Sequence, residues 1–172
     1  MSHLKSINTK ILPLKSLKNQ VTNWKKTGKK VVFTNGCFDL IHRGHIEALA
    51  QTADLGDKLI IGLNSDVSIK KLKGESRPII DENSRAILLA SLSFVDAIVL
   101  FSEETPLNLI SNLNPDILAK GGDYKINTIV GHEIIRKNGG EVILVPFVEA
   151  FLVVILLIKS KTLDSKKNTI SI

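Results

Sequence analysis

The apolar run Val31, Val32 and Phe33 leads straight into TNGCFDLIHRGH at positions 34–45, and then into Ile46, Glu47, Ala48, Leu49 and Ala50. A β-branched run, a glycine-containing turn and a helix-period pattern predict strand, loop, helix, with the loop at the carboxyl end of a buried strand. In open α/β sheets that end is where ligands bind. Two histidines three apart, His42 and His45, bracket Arg43 and Gly44 where the helix should start. Residues at i and i+3 share a helix face, so both rings can face one spot beside the amides that lack partners in a helix's first turn. Such a place suits a phosphate. Gly36 and Gly44 let backbone come close to a ligand.

The same alternation continues along the chain. Residues 58–63 form a second buried strand ending at Asn64, Ser65 and Asp66, residues 96–101 a third, 116–119 a fourth and 141–147 a fifth. Helices are expected over 11–27, 44–55, 81–93, 105–113 and 127–138. Pro13 stands near the start of the first and Gly28 just after its end, as helix boundaries prefer. Strand, helix, strand in this order implies right-handed parallel crossovers. The expected fold is a Rossmann-like, doubly wound α/β domain with a five-stranded parallel sheet, spanning residues 1–149. The 11–27 helix is read as packing on the sheet, with a dimer or partner surface as the alternative.

Composition narrows the function. At 172 residues the chain can bury a core without staples, and 44% hydrophobic with 23% charged residues is ordinary for a globular domain. The single cysteine, Cys37, excludes an internal disulfide and suits a reducing, cytoplasmic setting. A small buried thiol explains Cys37 better than a nucleophile, because no base stands next to it. Of the net charge of +6, Lys159, Lys161, Lys166 and Lys167 against Asp164 put +3 beyond Ala150. The remaining +3 forms no stripe interleaved with aromatics, so nucleic acid is not the expected partner. The N-terminus carries no apolar leader, and the longest apolar run, Ala150 to Ile158, is far short of the ~20 residues a membrane span needs.

Four blocks in order carry a resemblance: TNGCFDLIHRGH at 34–45, Asn64 to Asp66, LKGESRP at 72–78, and KGGDY at 120–124. The HxGH pattern resembles the signature of the nucleotidyltransferase superfamily. The four blocks together resemble the D-glycero-β-D-manno-heptose 1-phosphate adenylyltransferases, which occur alone or as the C-terminal half of a protein that also carries a sugar kinase. The resemblance runs from about Lys10 to Glu149. It implies transfer of AMP from ATP to a sugar 1-phosphate, with Mg²⁺ carried on the ATP phosphates and a separate heptose kinase supplying the acceptor. It implies a catalytic set of His42, His45 and Lys73. Thr34, Asn35, Gly36, Phe38, Asp39, Gly44 and Arg77 would hold the nucleotide, and Asp66, Lys120, Gly121 and Asp123 the substrate. A homodimer is left open.

Several residues admit a plainer reading. Asp66 can cap the following helix as well as meet a ligand, and the cap is preferred. The cations Lys70, Lys71, Lys73 and Arg77 around Gly74 read either as a solvated loop or as a mobile flap over a triphosphate. The resemblance favours the flap, with Lys71 or Lys73 on the phosphates. Gly121 and Gly122 can be only a turn, Arg85 is read as a surface or structural ion pair, and His132 as a surface residue. The rival activities are another transferase of the superfamily, such as a glycerol-phosphate cytidylyltransferase, or a nucleotide-binding relative without catalysis.

The resemblance breaks after Glu149. Its members continue with a small residue, an aromatic and a Ser/Thr pair opening a last helix, whereas this chain reads AFLVVILLIKSK over 150–161. If the codons of Leu152 to Ser160 end mostly in A, with that of Leu157 ending in G, the neighbouring register spells SSNIIDKIK, the expected motif and an amphipathic helix. A frameshift near codons 150–152 accounts for this, and a divergent C-terminal element that buries its apolar residues is the alternative. DNA sequencing that shows other codons removes the first.

Overall fold

The computed structural model describes residues 2–122 and 124–146. Five strands, β1 (Val31–Gly36), β2 (Lys58–Asn64), β3 (Ala97–Phe101), β4 (Ile117–Gly121) and β5 (Glu141–Val145), form one parallel sheet in the order β3-β2-β1-β4-β5. The expected five-stranded doubly wound sheet is therefore present. The connections run one way from β1 to β3 and the other way to β4 and β5, so the order reverses between β1 and β4. A crevice at such a reversal is where open α/β sheets take ligands.

Alternate side chains of β1 point to opposite layers, as period-2 strands require. Val31 and Phe33 meet Leu17 and Val21 of α2 (Leu14–Lys26), Leu109, Ile110 and Leu113 of α6 (Leu107–Leu113) and Ile135 of α7 (His132–Lys137). Val32 faces the other layer, with Leu49 of α3 (Arg43–Ala53) and Ala86, Leu89 and Ala90 of α5 (Glu82–Ala90). Both faces of the sheet are covered, which is why its strands read as continuous apolar runs. Ile11 bridges Ile98 on the outer edge of β3, with Leu12 N–H donating to the Ile98 carbonyl at 2.9 Å. That contact blunts an edge that would otherwise offer free backbone groups.

Several boundaries differ from the sequence reading. A short α1 (His3–Asn8), capped by Ser2, precedes the helix expected over 11–27, which begins only at Leu14 because Ile11 is committed to the β3 edge. The cations at 70–73 lie on a helix, α4 (Asp66–Lys73), capped by Ser65 and closed by Gly74 at φ +93°, so the loop begins only at Gly74. The single helix expected over 127–138 is a 3-10 turn (Ile126–Thr128) followed by α7. Gly131, at φ +88° with Ile110 against its α-carbon, breaks the two apart. Among the described residues no helix is long and apolar enough to cross a membrane. Asp123, Phe147 and the tail after Glu149, with its codon-register reading, lie outside the described residues.

Candidate active site

The site is built where β1 ends and α3 begins. After Gly36 the chain turns through Phe38, a non-glycine residue at φ +46°, a conformation costing about 1–2 kcal/mol for an L side chain. The Phe38 ring folds back over Gly36, where an added Cβ would lie 2.9 Å from ring carbon Cε2. Glycine at 36 is thus needed for the turn itself, before any ligand arrives. His42, extended at φ −139° and ψ 171°, is the N-cap of α3, and its carbonyl accepts the His45 N–H at 2.9 Å. Gly44, buried in the first turn, keeps the helix end slim.

The two imidazoles meet as expected, with ring centroids 4.0 Å apart. Phe38 packs edge-on against His45 at 5.6 Å. The His42 backbone N–H donates to His45 Nδ1 at 3.4 Å. A ring accepting at Nδ1 carries its proton on Nε2. Burial, then the neighbouring His42, then the Lys73 ammonium push the His45 pKa down to about 4. His45 is therefore a neutral N–H donor near neutral pH. The repulsion from Lys73 shows that the last turn of α4 and the start of α3 share one electrostatic environment.

From the other side of the reversal, Lys120 at the end of β4 reaches Asn35, its Nζ donating to the side-chain Oδ1 at 3.1 Å and the carbonyl at 3.3 Å. Burial lowers its pKa, with Cys37 acting in the opposite sense. The Lys120 ammonium also lies 5.6 Å from the Tyr124 ring centroid. Gly121 is the last residue of β4, paired with Val145, and Gly122 bends the chain after it at φ +108°, at the same sheet edge as His42.

Asp39 faces inward and grips the segment after α4. Its Oδ1 accepts the Ile79 and Ile80 amides at 2.7 and 3.1 Å, and its Oδ2 accepts Arg77 Nη1 at 2.6 Å. Burial raises its pKa, but the Ile80 amide, Arg77 and the Ile79 amide outweigh it and leave the carboxyl below its usual value. Asp39 and Arg77 are thus engaged with each other, and Lys73 is exposed on α4.

Asp66 is placed differently from the preferred sequence reading. Ser65 is the cap of α4, its hydroxyl accepting the Ser68 N–H, and Asp66 occupies the first helical position. Its Oδ1 accepts Arg85 Nη2 at 2.7 Å, so the partly exposed carboxylate is tied to a buried guanidinium. Arg85 is fully buried, which corrects the surface alternative and keeps the structural one. The signal was present, since position 85 lies one turn before Leu89 and beside Ala86, on the buried stripe of α5. His132 is half-buried, its Nδ1 2.9 Å from the Ile129 carbonyl. Thr34 is buried in β1 beneath the site.

The cytidylyltransferase-like family matches residues 33–166. A protein described as "Bifunctional protein HldE" from Citrifermentans bemidjiense is 50% identical over 145 residues, covering 84% of this chain and 30% of that protein. The protein of the same description from Hyphomonas neptunium is 45% identical over 88% of this chain and 31% of its own length. The chain spans about a third of the length of these curated relatives. Among solved structures, the lipopolysaccharide core biosynthesis protein of Thermoplasma volcanium aligns at a TM-score of 0.56 and 33% identity, covering 70% of this chain and 97% of the other. A pantoate-beta-alanine ligase from Francisella tularensis, at 16% identity and a TM-score of 0.55, shares the fold. With the HxGH turn in place at the sheet's reversal point and most of its length matched, the chain belongs to the cytidylyltransferase-like family of nucleotidyltransferases.

Proposed function

We propose that the chain transfers AMP from ATP to D-glycero-β-D-manno-heptose 1-phosphate, giving ADP-heptose and pyrophosphate for the lipopolysaccharide core. The observation that carries the phosphate chemistry is the pair of imidazoles, His42 and His45, 4.0 Å apart at the N-terminus of α3, with His45 accepting at Nδ1 so that its Nε2–H is left to donate. The four sequence blocks, and the likeness to a lipopolysaccharide core biosynthesis protein, support the sugar.

In this reading a phosphate oxygen of the sugar 1-phosphate attacks the α-phosphorus of ATP in line. The new P–O bond forms as the bond to the β-phosphate oxygen breaks, and pyrophosphate leaves. Catalysis rests on positioning and charge stabilisation. His42 and His45 donate to the α-phosphate and the leaving oxygen, Lys73 neutralises the triphosphate, and Lys120 meets the substrates across the crevice. Asn35, Gly36, Phe38 and Gly44 shape the turn under the nucleotide, while Asp39 and Arg77 hold the adjoining segment. Mg²⁺ enters with ATP as part of the substrate, since the Asp39 and Asp66 carboxylates are already bound by arginines.

The test is pyrophosphate release from ATP with heptose 1-phosphate, run beside CTP and beside glycerol phosphate. Turnover with ATP and the heptose ester alone supports the proposal, and preference for CTP or glycerol phosphate moves the chain to the other transferase reading. A second protein, with residues 150–160 rebuilt to the neighbouring reading frame, separates a wrong substrate from a missing phosphate motif. Loss of one preorganised donor costs on the order of 10²–10³ in rate. Activity only in the rebuilt protein therefore identifies this chain as the non-catalytic relative.

A further inference from the structure

Arg85 has no surface exposure, and the acceptors of its guanidinium all belong to the protein itself. Its Nε donates to the Ile80 carbonyl at 2.9 Å, Nη1 to the Asn64 carbonyl at 2.9 Å and to the Cys37 carbonyl, and Nη2 to Asp66 Oδ1 at 2.7 Å. These four acceptors belong to separate parts of the site. Cys37 is in the turn that presents His42 and His45, and Asn64 ends β2. Asp66 opens α4, which carries Lys73 in its last turn, and Ile80 ends the return segment that carries Arg77. One guanidinium therefore pins both ends of the cationic stretch 66–80 and ties them to the histidine turn. Asp39 completes the arrangement by holding the Ile80 amide while Arg85 holds its carbonyl.

Burying a charge to gain stability alone is inefficient, because desolvation offsets most of the attraction and a well-packed apolar side chain does as well. A planar fork with five fixed donors has a different capability, which is to hold several acceptors at set distances and angles. We infer that Arg85 is a positioning residue for the transfer reaction, fixing the cationic stretch 66–80 in register with the His42 and His45 turn without touching the substrates. The inference rests on the proposed reading of this site as the ATP site.

The experiment uses the full chain and two variants, R85K and D66N. Lysine keeps the charge but loses the fork, and D66N, at a partly exposed side chain, takes the charge from one anchor and leaves the three carbonyl contacts. Two readouts are taken: amide hydrogen exchange over 37–45, 59–63 and 76–81, and titration with Mg·ATP, corrected for the folded fraction. The expected result is faster exchange over 76–81 with β2 still protected, and a Kd for ATP weakened about 10–100-fold, as for loss of one charge-assisted contact to the triphosphate. D66N shows the same pattern to a smaller degree, and it decides the matter if R85K does not fold. A merely structural role lowers the folded fraction, spreads faster exchange through β2 and leaves the Kd of folded molecules unchanged; that outcome overturns the inference, as does unchanged exchange over 76–81. If the parent chain itself fails to bind ATP, the proposed function falls, while the exchange data still decide whether Arg85 holds the stretch.

Discussion

The His45 environment makes a prediction about stability that needs no substrate. An unfolded imidazole takes up its proton at its ordinary value of 6.5, whereas in the folded chain burial, His42 and Lys73 delay this to about 4. Between those limits the unfolded state binds more protons, so stability rises with pH across the window and is lost as pH falls through it. A displacement from 6.5 to about 4 corresponds to roughly 3 kcal/mol for a fully buried group. His45 is only half-buried, and solvent screening reduces this to ~1–2 kcal/mol, of which about 1 kcal/mol has been lost near pH 5. H45N supplies the comparison, since an amide oxygen can accept the His42 N–H and does not titrate.

Urea unfolding followed by the fluorescence of Trp24, half-buried against the core, is run for both proteins near pH 7.5 and near pH 5. The parent is expected to lose about 1 kcal/mol more than H45N on acidification, a difference of roughly 0.3–1 M in midpoint shift for ordinary urea slopes. Equal losses would refute the reasoning, because they would mean that His45 takes its proton as readily folded as unfolded.

D39N leaves an amide nitrogen facing donors in place of a carboxylate oxygen, and should cost about 2–3 kcal/mol with faster exchange at Ile79 and Ile80; an unchanged midpoint rules this out. K73M, at an exposed position, should change stability by less than ~0.5 kcal/mol while weakening ATP binding. By removing one source of repulsion it should also raise the His45 pKa, which an NMR titration of the ring reads directly. G131A places a Cβ 2.8 Å from Ile110 Cδ1 at φ +88°, so strain and overpacking together should cost about 2–4 kcal/mol. Thermal melting should then fall by roughly 5–15 °C, and a fall under 2 °C would show that α6 yields to the new methyl.

What the sequence made legible was local. Short apolar runs marked every strand, and the HxGH spacing placed two imidazoles on one helix end because residues three apart share a helix face. Asp81 announced the start of α5, and its side chain does accept the Asn83 and Ser84 amides. Competing local signals were harder to separate. Ser65 and Asp66 are both good caps, and only the Arg85 partner, distant in sequence, decides between them. The cluster of Lys70, Lys71 and Lys73 hid a helix whose one fully buried apolar anchor is Ile69. The direction of Arg85 depended on tertiary neighbours drawn from residues 37, 64, 66 and 80, which no local pattern encodes.

The cations of this region divide by chemistry. Arg77 and Arg85 are committed to Asp39 and Asp66, and through them to the backbone around the site. Among the described residues neither Lys73 nor Lys120 is paired with a carboxylate; Lys120 has only the neutral oxygens of Asn35, and Lys73 stands at an exposed helix end. A rigid planar fork suits contacts that must not move, while a compact charge on a flexible stem can follow a phosphate whose geometry changes during transfer. In the proposed reading, His45 meets a triphosphate as a neutral donor, and Lys73 and Lys120 bring positive charge to it. The arginines keep the frame in which those lysines act. On the proposed reading, exchanging Arg for Lys at either kind of position is expected to preserve net charge and still alter activity: lysine at 85 loses the planar fork, and arginine at 73 replaces a compact charge by a rigid one.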